Sequence, residues 1–232
     1  MSLPQQTYLR SLSAKLKELG DAGEVFDLHK LIAKAPSLPE TLSFGPEGLR
    51  YSLAGGGGSQ SYAAIKVPAL PVWTSFELEF TIRPEKASFG SAVELGLLAQ
   101  PEPAVGGLIL GLFSHSLALP VKEEDRWMGS MRDFGLTAWP ANVTVGSDDW
   151  PAFYEERQEL SIFLAWYIPF REALACVSLP EEGKLLWEGK IAQVEPREGP
   201  AYLVLIFRTQ EKKGYPIEGV IKELHLRAYR PD

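Results

Sequence analysis

Residues 76–83 read Phe-Glu-Leu-Glu-Phe-Thr-Ile-Arg, an unbroken alternation of apolar and polar side chains. Period two is the signature of a β-strand with one dry and one wet face, because successive side chains leave an extended backbone on opposite sides. Phe76, Leu78, Phe80 and Ile82 are therefore expected in a core, and Glu77, Glu79, Thr81 and Arg83 on a solvated face. Burying the four apolar side chains is worth roughly 6–12 kcal/mol gross, at about 1.5–3 kcal/mol each. That is comparable with the net stability of a whole domain. A slip of one residue would exchange the two faces and is effectively forbidden. Pro84 has no N–H for a ladder, so the strand is expected to stop there.

The extended pattern continues on both sides of this segment. Leu42–Phe44 and Leu49–Leu53 flank Gly45-Pro46-Glu47-Gly48, a turn signal, and read as a hairpin. Further strands are expected at Ala92–Ala99, Leu108–Leu119, Leu136–Val145, Leu160–Ile168, Glu172–Leu179, Lys184–Ile191, Ala201–Arg208 and Gly219–Tyr229. Pro180-Glu181-Glu182-Gly183 reads as a tight connection. Leu203–Phe207 is apolar at every position, so it should be covered on both faces. Many short strands with Gly/Pro turns predict a mainly β, two-sheet antiparallel jelly-roll sandwich. No internal repeat of fixed period is present. Gly55–Gly58 is read as a loop: no Gly-Lys-Ser/Thr follows, so it is not a phosphate cradle.

Helical periodicity is confined to the N-terminal region. Leu9, Leu12, Leu16 and Leu19 form an a/d seam about two heptads long. Gly20–Gly23 breaks it, and Val25, Phe26, Leu28, Leu31 and Ile32 continue the helical reading until Pro36. The expected organisation is a helical segment over 1–37 followed by a sandwich domain over 38–232. Two heptads cannot hold a coiled coil alone. The seam reads either as a hairpin packed on its own domain or as an oligomerisation or docking stem, through which copies of the chain associate or the chain docks on a larger assembly.

Composition narrows the function classes. A net charge of −7 with a pI near 5.2 argues against nucleic acid, whose phosphates require clustered Lys and Arg. No run reaches the roughly 18 apolar residues of a membrane span, so no membrane contact is expected. The N-terminus lacks the basic and apolar regions of a signal peptide. With one cysteine there is no intrachain disulfide. One Asn, one Cys and three Met beside eighteen Pro read as a thermophilic composition.

Three segments carry a family resemblance. Leu42-x-Phe44-x-x-x-Gly48-Leu49, Phe76-x-Leu78-x-Phe80-x-Ile82-x-Pro84 and Gly219-x-Ile221-x-Glu223-Leu224-x-Leu226 resemble the opening, central and closing strands of concanavalin A-like jelly rolls, in particular the laminin-G-like branch. The resemblance implies the lectin and glucanase superfamily, with glycan binding or glycan cleavage as its usual activities. Lys222 stands where that branch usually has Asp, and Arg227 where it has an aromatic residue. No calcium or sugar ligand position is matched, so no cofactor and no metal is carried over. Retaining glucanases of this superfamily present Glu-x-Asp-x-Glu on one strand, because side chains two apart share a face and two carboxylates about 5–5.5 Å apart serve as nucleophile and acid/base. Here Glu77 and Glu79 are followed by Thr81, so the catalytic set is broken.

His29, His115 and His225 lie on separate elements without metal-ligand spacing. Cys176 sits in an apolar strand and reads as an inert buried thiol. The richest chemistry lies in residues 120–159, where three of the six tryptophans fall. Trp127, Trp139, Trp150 and Tyr154, with Asp125, Arg132, Asp148 and Asp149, form the expected ligand-binding set. Aromatic faces flanked by hydrogen-bonding groups suit sugar rings and protein hot spots alike; the same aromatics also suit a satellite cluster pinning long loops. The expected function is a non-catalytic recognition or assembly module for a glycan or protein surface, such as a structural or receptor-binding component of a phage particle. The alternative is a glycoside hydrolase or lyase whose acids come from several strands, with Glu94, Glu123, Glu124, Glu155, Glu156 and Glu159 as the available carboxylates.

Overall fold

A computed structural model of the chain describes residues 14, 23–35, 37–54, 60–67, 75–86, 91–98, 107–115, 130–139, 143–146, 152–154, 158–167, 170–193, 201–209 and 216–229. In chain order the elements are β1 (Glu24–Asp27), α1 (Leu28–Ala33), β2 (Leu42–Gly45), β3 (Gly48–Leu53), β4 (Gln60–Val67), β5 (Ser75–Lys86), β6 (Ser91–Leu98) and β7 (Gly107–His115). There follow β8 (Ser130–Trp139), β9 (Val143–Gly146), β10 (Ala152–Tyr154), β11 (Leu160–Tyr167), β12 (Glu172–Leu179), β13 (Lys184–Ala192), β14 (Ala201–Arg208) and β15 (Ile217–Tyr229).

The strands make two antiparallel sheets. The first has the order β13-β12-β11-β5-β15-β3-β2, with β1 added beside β15; the second has β10-β8-β7-β6-β14-β4, with β9 on β8. The core lies between them, as the alternation in residues 76–83 requires. Phe76, Leu78, Phe80 and Ile82 are at most 3% exposed, and Leu224 and Leu226 on the neighbouring β15 are fully buried. Tyr51 on the first sheet stacks on Phe207 of the second with ring centroids 4.9 Å apart. Residues 203–207 are buried at every position, as their two-sided apolar pattern predicts. Gly183 closes the β12–β13 turn at φ +60°, donating to the Pro180 carbonyl.

Four expectations are corrected. First, β5 does not end at Pro84 but runs on to Lys86. Pro84 is opposite Gly219, where the β5–β15 register shifts, so the missing N–H falls at an irregularity in the ladder. Second, the expected strand Leu136–Val145 is two strands, β8 and β9, paired to each other across residues 135–138 and 143–146.

Third, residues 25–32 are not one helix. Glu24–Asp27 pairs with His225–Ala228 as a strand. The Asp27 carboxylate then accepts from the Lys30 N–H at 3.2 Å and starts a helix of only six residues. That helix buries Leu28 and Ile32 against β15 and β4, one strand from each sheet, and so covers one side of the sandwich. Among the described residues no helix is long and apolar enough to cross a membrane.

The fourth concerns the wet face of β5. Glu79 is exposed, and Arg83 pairs with Glu47 at 2.6 Å and with Glu85 at 2.9 Å. Glu77, however, is only 5% exposed. Tyr167 and Tyr229, from the strands flanking β5, cover it and donate their hydroxyls to its two oxygens. A carboxylate is buried here because it is hydrogen-bonded.

Candidate functional site

Of the residues expected to bind ligand, Asp125, Trp127, Asp148, Asp149 and Trp150 lie outside the described residues, as do the leucines 9, 12, 16 and 19 and the glycine loop. Arg132 and Trp139 are on β8 and Tyr154 is on β10. Arg132 pairs with Ser114 and Ala152, Trp139 with Gly107, and Tyr154 with Ser130. The aromatic window therefore supplies the β10-β8 edge of the second sheet.

Further into that sheet, β6 turns Leu95 and Leu97 into the core at 1% and 0% exposure. Glu94 falls between them in parity and takes the outer face, yet it is 9% exposed. Its cross-strand neighbour on β14 is Ile206, which belongs to a small outer cluster with Leu98, Ile109 and Val204, against which Tyr202 and Ala64 pack. Burial beside this cluster pushes the Glu94 carboxyl above the usual carboxylate range, and the nearby Arg208 charge pulls it part of the way back. The Arg208 guanidinium reaches the carboxylate at 2.9 Å, with its own side chain 44% exposed.

On the other side of Glu94 the register runs to Gly111 on β7 and from there to Gly135 on β8. Two successive strands thus place no side chain beside the carboxylate. With strands about 4.8 Å apart, the two glycines lie within about 10 Å of Glu94, and Gly111 is itself buried, so other groups approach its backbone. Glycine inside a strand commonly marks such a close approach. Asp133 stands on β8 two residues from Gly135, and Trp139 four residues from it.

The chemistry available is that of paired charge on the outer face of the sheet. A carboxylate next to a guanidinium offers acceptors and donors side by side, which matches vicinal hydroxyls, since each hydroxyl both donates and accepts. General acid–base work on a glycosidic bond needs a second carboxyl group at about 5–9.5 Å. Among the described side chains on this face Glu94 is the only acid.

Elsewhere, Cys176 is 2% exposed and burial pushes its thiol up to about 12, so it is a poor nucleophile. Among the described residues no group of His, Cys, Asp and Glu is gathered so as to hold a metal ion. Sequence reasoning had Glu94 only as one acid among several. The in-strand glycines 111 and 135 were the signal that singles it out, but only register makes them its neighbours.

The fold is shared with many solved structures. The alginate lyase from Klebsiella pneumoniae superposes with a TM-score of 0.58 at 9% identity, over 86% of this chain and 88% of that one. The exoplasmic/lumenal domain of VIP36 in its Ca2+/Man3GlcNAc-bound form gives 0.55 at 8% identity, over 83% of each chain. The CBM2 module of the evolved Dit protein of Lactobacillus casei BL23 phage J-1 gives 0.51 at 10% identity, over 84% and 81%. No protein-family model and no curated protein sequence matches the chain. At these identities the likeness is one of fold: the chain has a concanavalin A-like jelly roll. None of these neighbours singles out the laminin-G branch.

Proposed function

We propose, taking the concanavalin A-like fold as the premise, that the chain is a non-catalytic glycan-binding module whose sugar site is the Glu94–Arg208 pair on the outer face of the second sheet. One observation carries the reading. A buried Glu94 carboxylate pairs with the exposed Arg208 guanidinium, and the register places Gly111 and Gly135 beside it on the next two strands. Vicinal hydroxyls of a sugar ring would bridge Glu94 and Arg208, and the ring would lie over the β7 and β8 backbone. Trp139, and with it the tryptophans and acids of the 120–159 window, would supply the aromatic rim. The glycan-bound form of VIP36 supports this reading by fold analogy. A place in a phage particle is the finer version, supported by the likeness to a phage Dit module.

The test is a glycan array followed by calorimetry on the full chain. A saturable glycan ligand is expected, weakened about tenfold or more by Glu94→Gln and by Trp139→Ala, as loss of a charged hydrogen bond or a stacking ring implies. The chain should leave that glycan intact on prolonged incubation. An array without hits, or a hit indifferent to both substitutions, overturns the site. Cleavage abolished by Glu94→Gln or Asp133→Asn would replace the module by an enzyme.

A further inference from the structure

On the opposite side of the sandwich, the outer face of the first sheet holds a pocket of about 280 Å3 lined by Val25, Glu77, Glu79, His225 and Arg227. Register builds it. Glu77 is paired with Arg227 and Glu79 with His225, while Val25 on β1 flanks Arg227 from the other side. One wall therefore carries two carboxylates from β5, and the facing wall a guanidinium and an imidazole from β15.

Cross-strand neighbours have their Cβ atoms about 4.5–5.5 Å apart, near enough for Glu and Arg to close an ion pair. They do not. Among the described residues no ion pair or hydrogen bond joins either glutamate to Arg227 or His225, and the Glu77 oxygens are taken up by two phenols. The Tyr167 hydroxyl donates to one Glu77 oxygen at 2.9 Å and the Tyr229 hydroxyl to the other at 2.8 Å. Both phenols are buried, at 0% and 3% exposure. Burial, followed by the charge of Glu77, drives the Tyr167 pKa far upward, so this phenol stays a neutral donor. The carboxylate is thus solvated by two dipoles, with no counter-ion.

The stem of Arg227 packs against the backbone at Gly23. A Cβ there would lie 2.8 Å from Arg227 Cγ, and Gly23 has φ +68°, which favours glycine. Glu79, by contrast, is exposed at the mouth.

We propose that this pocket binds a small zwitterion the size of an α-amino acid, its ammonium group against Glu77 and Glu79 and its anionic group against Arg227 and His225. A ligand of one sign would meet one repelling wall. A neutral polyol would cover both walls while neutralising neither, at a desolvation cost for each charge. A zwitterion neutralises both. The volume lies at the lower bound for ligand pockets, about 300 Å3, so the occupant is a single small molecule. The site is on the other sheet from Glu94, and its failure would leave the glycan reading untouched.

The experiment is saturation-transfer NMR of the full chain with the proteinogenic α-amino acids, followed by calorimetry on the strongest binder. At least one amino acid is expected to bind saturably, and its N-acetyl and C-amide derivatives, each lacking one charge, to bind about tenfold more weakly or worse. Arg227→Met keeps the stem against Gly23 but removes the charge, and Glu79→Gln alters an exposed position. Each should weaken binding about tenfold, and Arg227→Lys should restore part of it. Absence of saturable binding at about 10 mM for every amino acid overturns the proposal, as do derivatives that bind as well as the parent or an Arg227→Met chain with unchanged affinity.

Discussion

Removing a single atom, the hydroxyl oxygen of Tyr229, tests how Glu77 is kept in the sheet. Tyr229→Phe leaves the ring packed and deletes one of the two donors to a carboxylate that is 5% exposed. A hydrogen bond to a charged group contributes about 1.5–3 kcal/mol. For a chain of this length each kcal/mol corresponds to about 2–4 °C in melting temperature, so a fall of roughly 3–12 °C is expected. Tyr167→Phe should cost a similar amount, since its bond is equally short and its ring fully buried. The double variant should lose less than the sum, by about 1 kcal/mol. Once both phenols are gone, the carboxylate is free to swing to Arg227, its partner in register. Chemical denaturation of the four proteins, read as a double-mutant cycle, supplies all the numbers. Single variants within about 0.5 kcal/mol of the parent would mean that water solvates Glu77 and that the phenols do not hold it.

The raised carboxyl of Glu94 makes stability depend on pH with a definite sign. A folded-state pKa above the unfolded value of 4.5 means that the native state binds the extra proton, so this group's contribution falls as pH rises from 4.5 through the folded pKa. Glu94→Gln should flatten that part of the melting-temperature profile and Arg208→Met should steepen it; identical profiles for all three proteins would refute the assignment. At Gly219 a Cβ would lie 2.3 Å from the Tyr51 hydroxyl and 2.7 Å from the Arg83 carbonyl oxygen, while Tyr51 is held by its stack on Phe207. Gly219→Ala should therefore cost about 1–3 kcal/mol in a denaturant titration, and a neutral effect would show that β15 can shift.

What could be read from the chain and what could not divide along the distance between partners. The alternation of residues 76–83 identifies a core face because each side chain's fate is set by its own parity. The closing strand is a finer case. Its core-facing positions run Ile217, Gly219, Ile221 and then Leu224, Leu226, Ala228, so the spacing passes from two to three and back to two. That extra residue is the bulge at Glu223, where φ is +48° and the β5 register slips between Lys222 and His225. It was legible as spacing, and its consequence was not. The bulge lies between the stretch of β15 that pairs with β3 and the stretch that pairs with β1. Helical spacing suited residues 25–32 as a segment in isolation, but that free stretch of β15 claims Glu24–Asp27 as a strand.

The chemistry lies at greater separations still. Tyr167 is 90 residues from Glu77 and Tyr229 is 152 away, so a glutamate that looks wet in its own strand is dry in the sheet. Glu94 acquires its character in the same way, from Ile206 and Arg208 on one side and from Gly111 and Gly135 on the other. In both cases a carboxylate is desolvated by strands that adjoin it only after the two sheets have formed. Each therefore reports on the completed fold and on no local propensity.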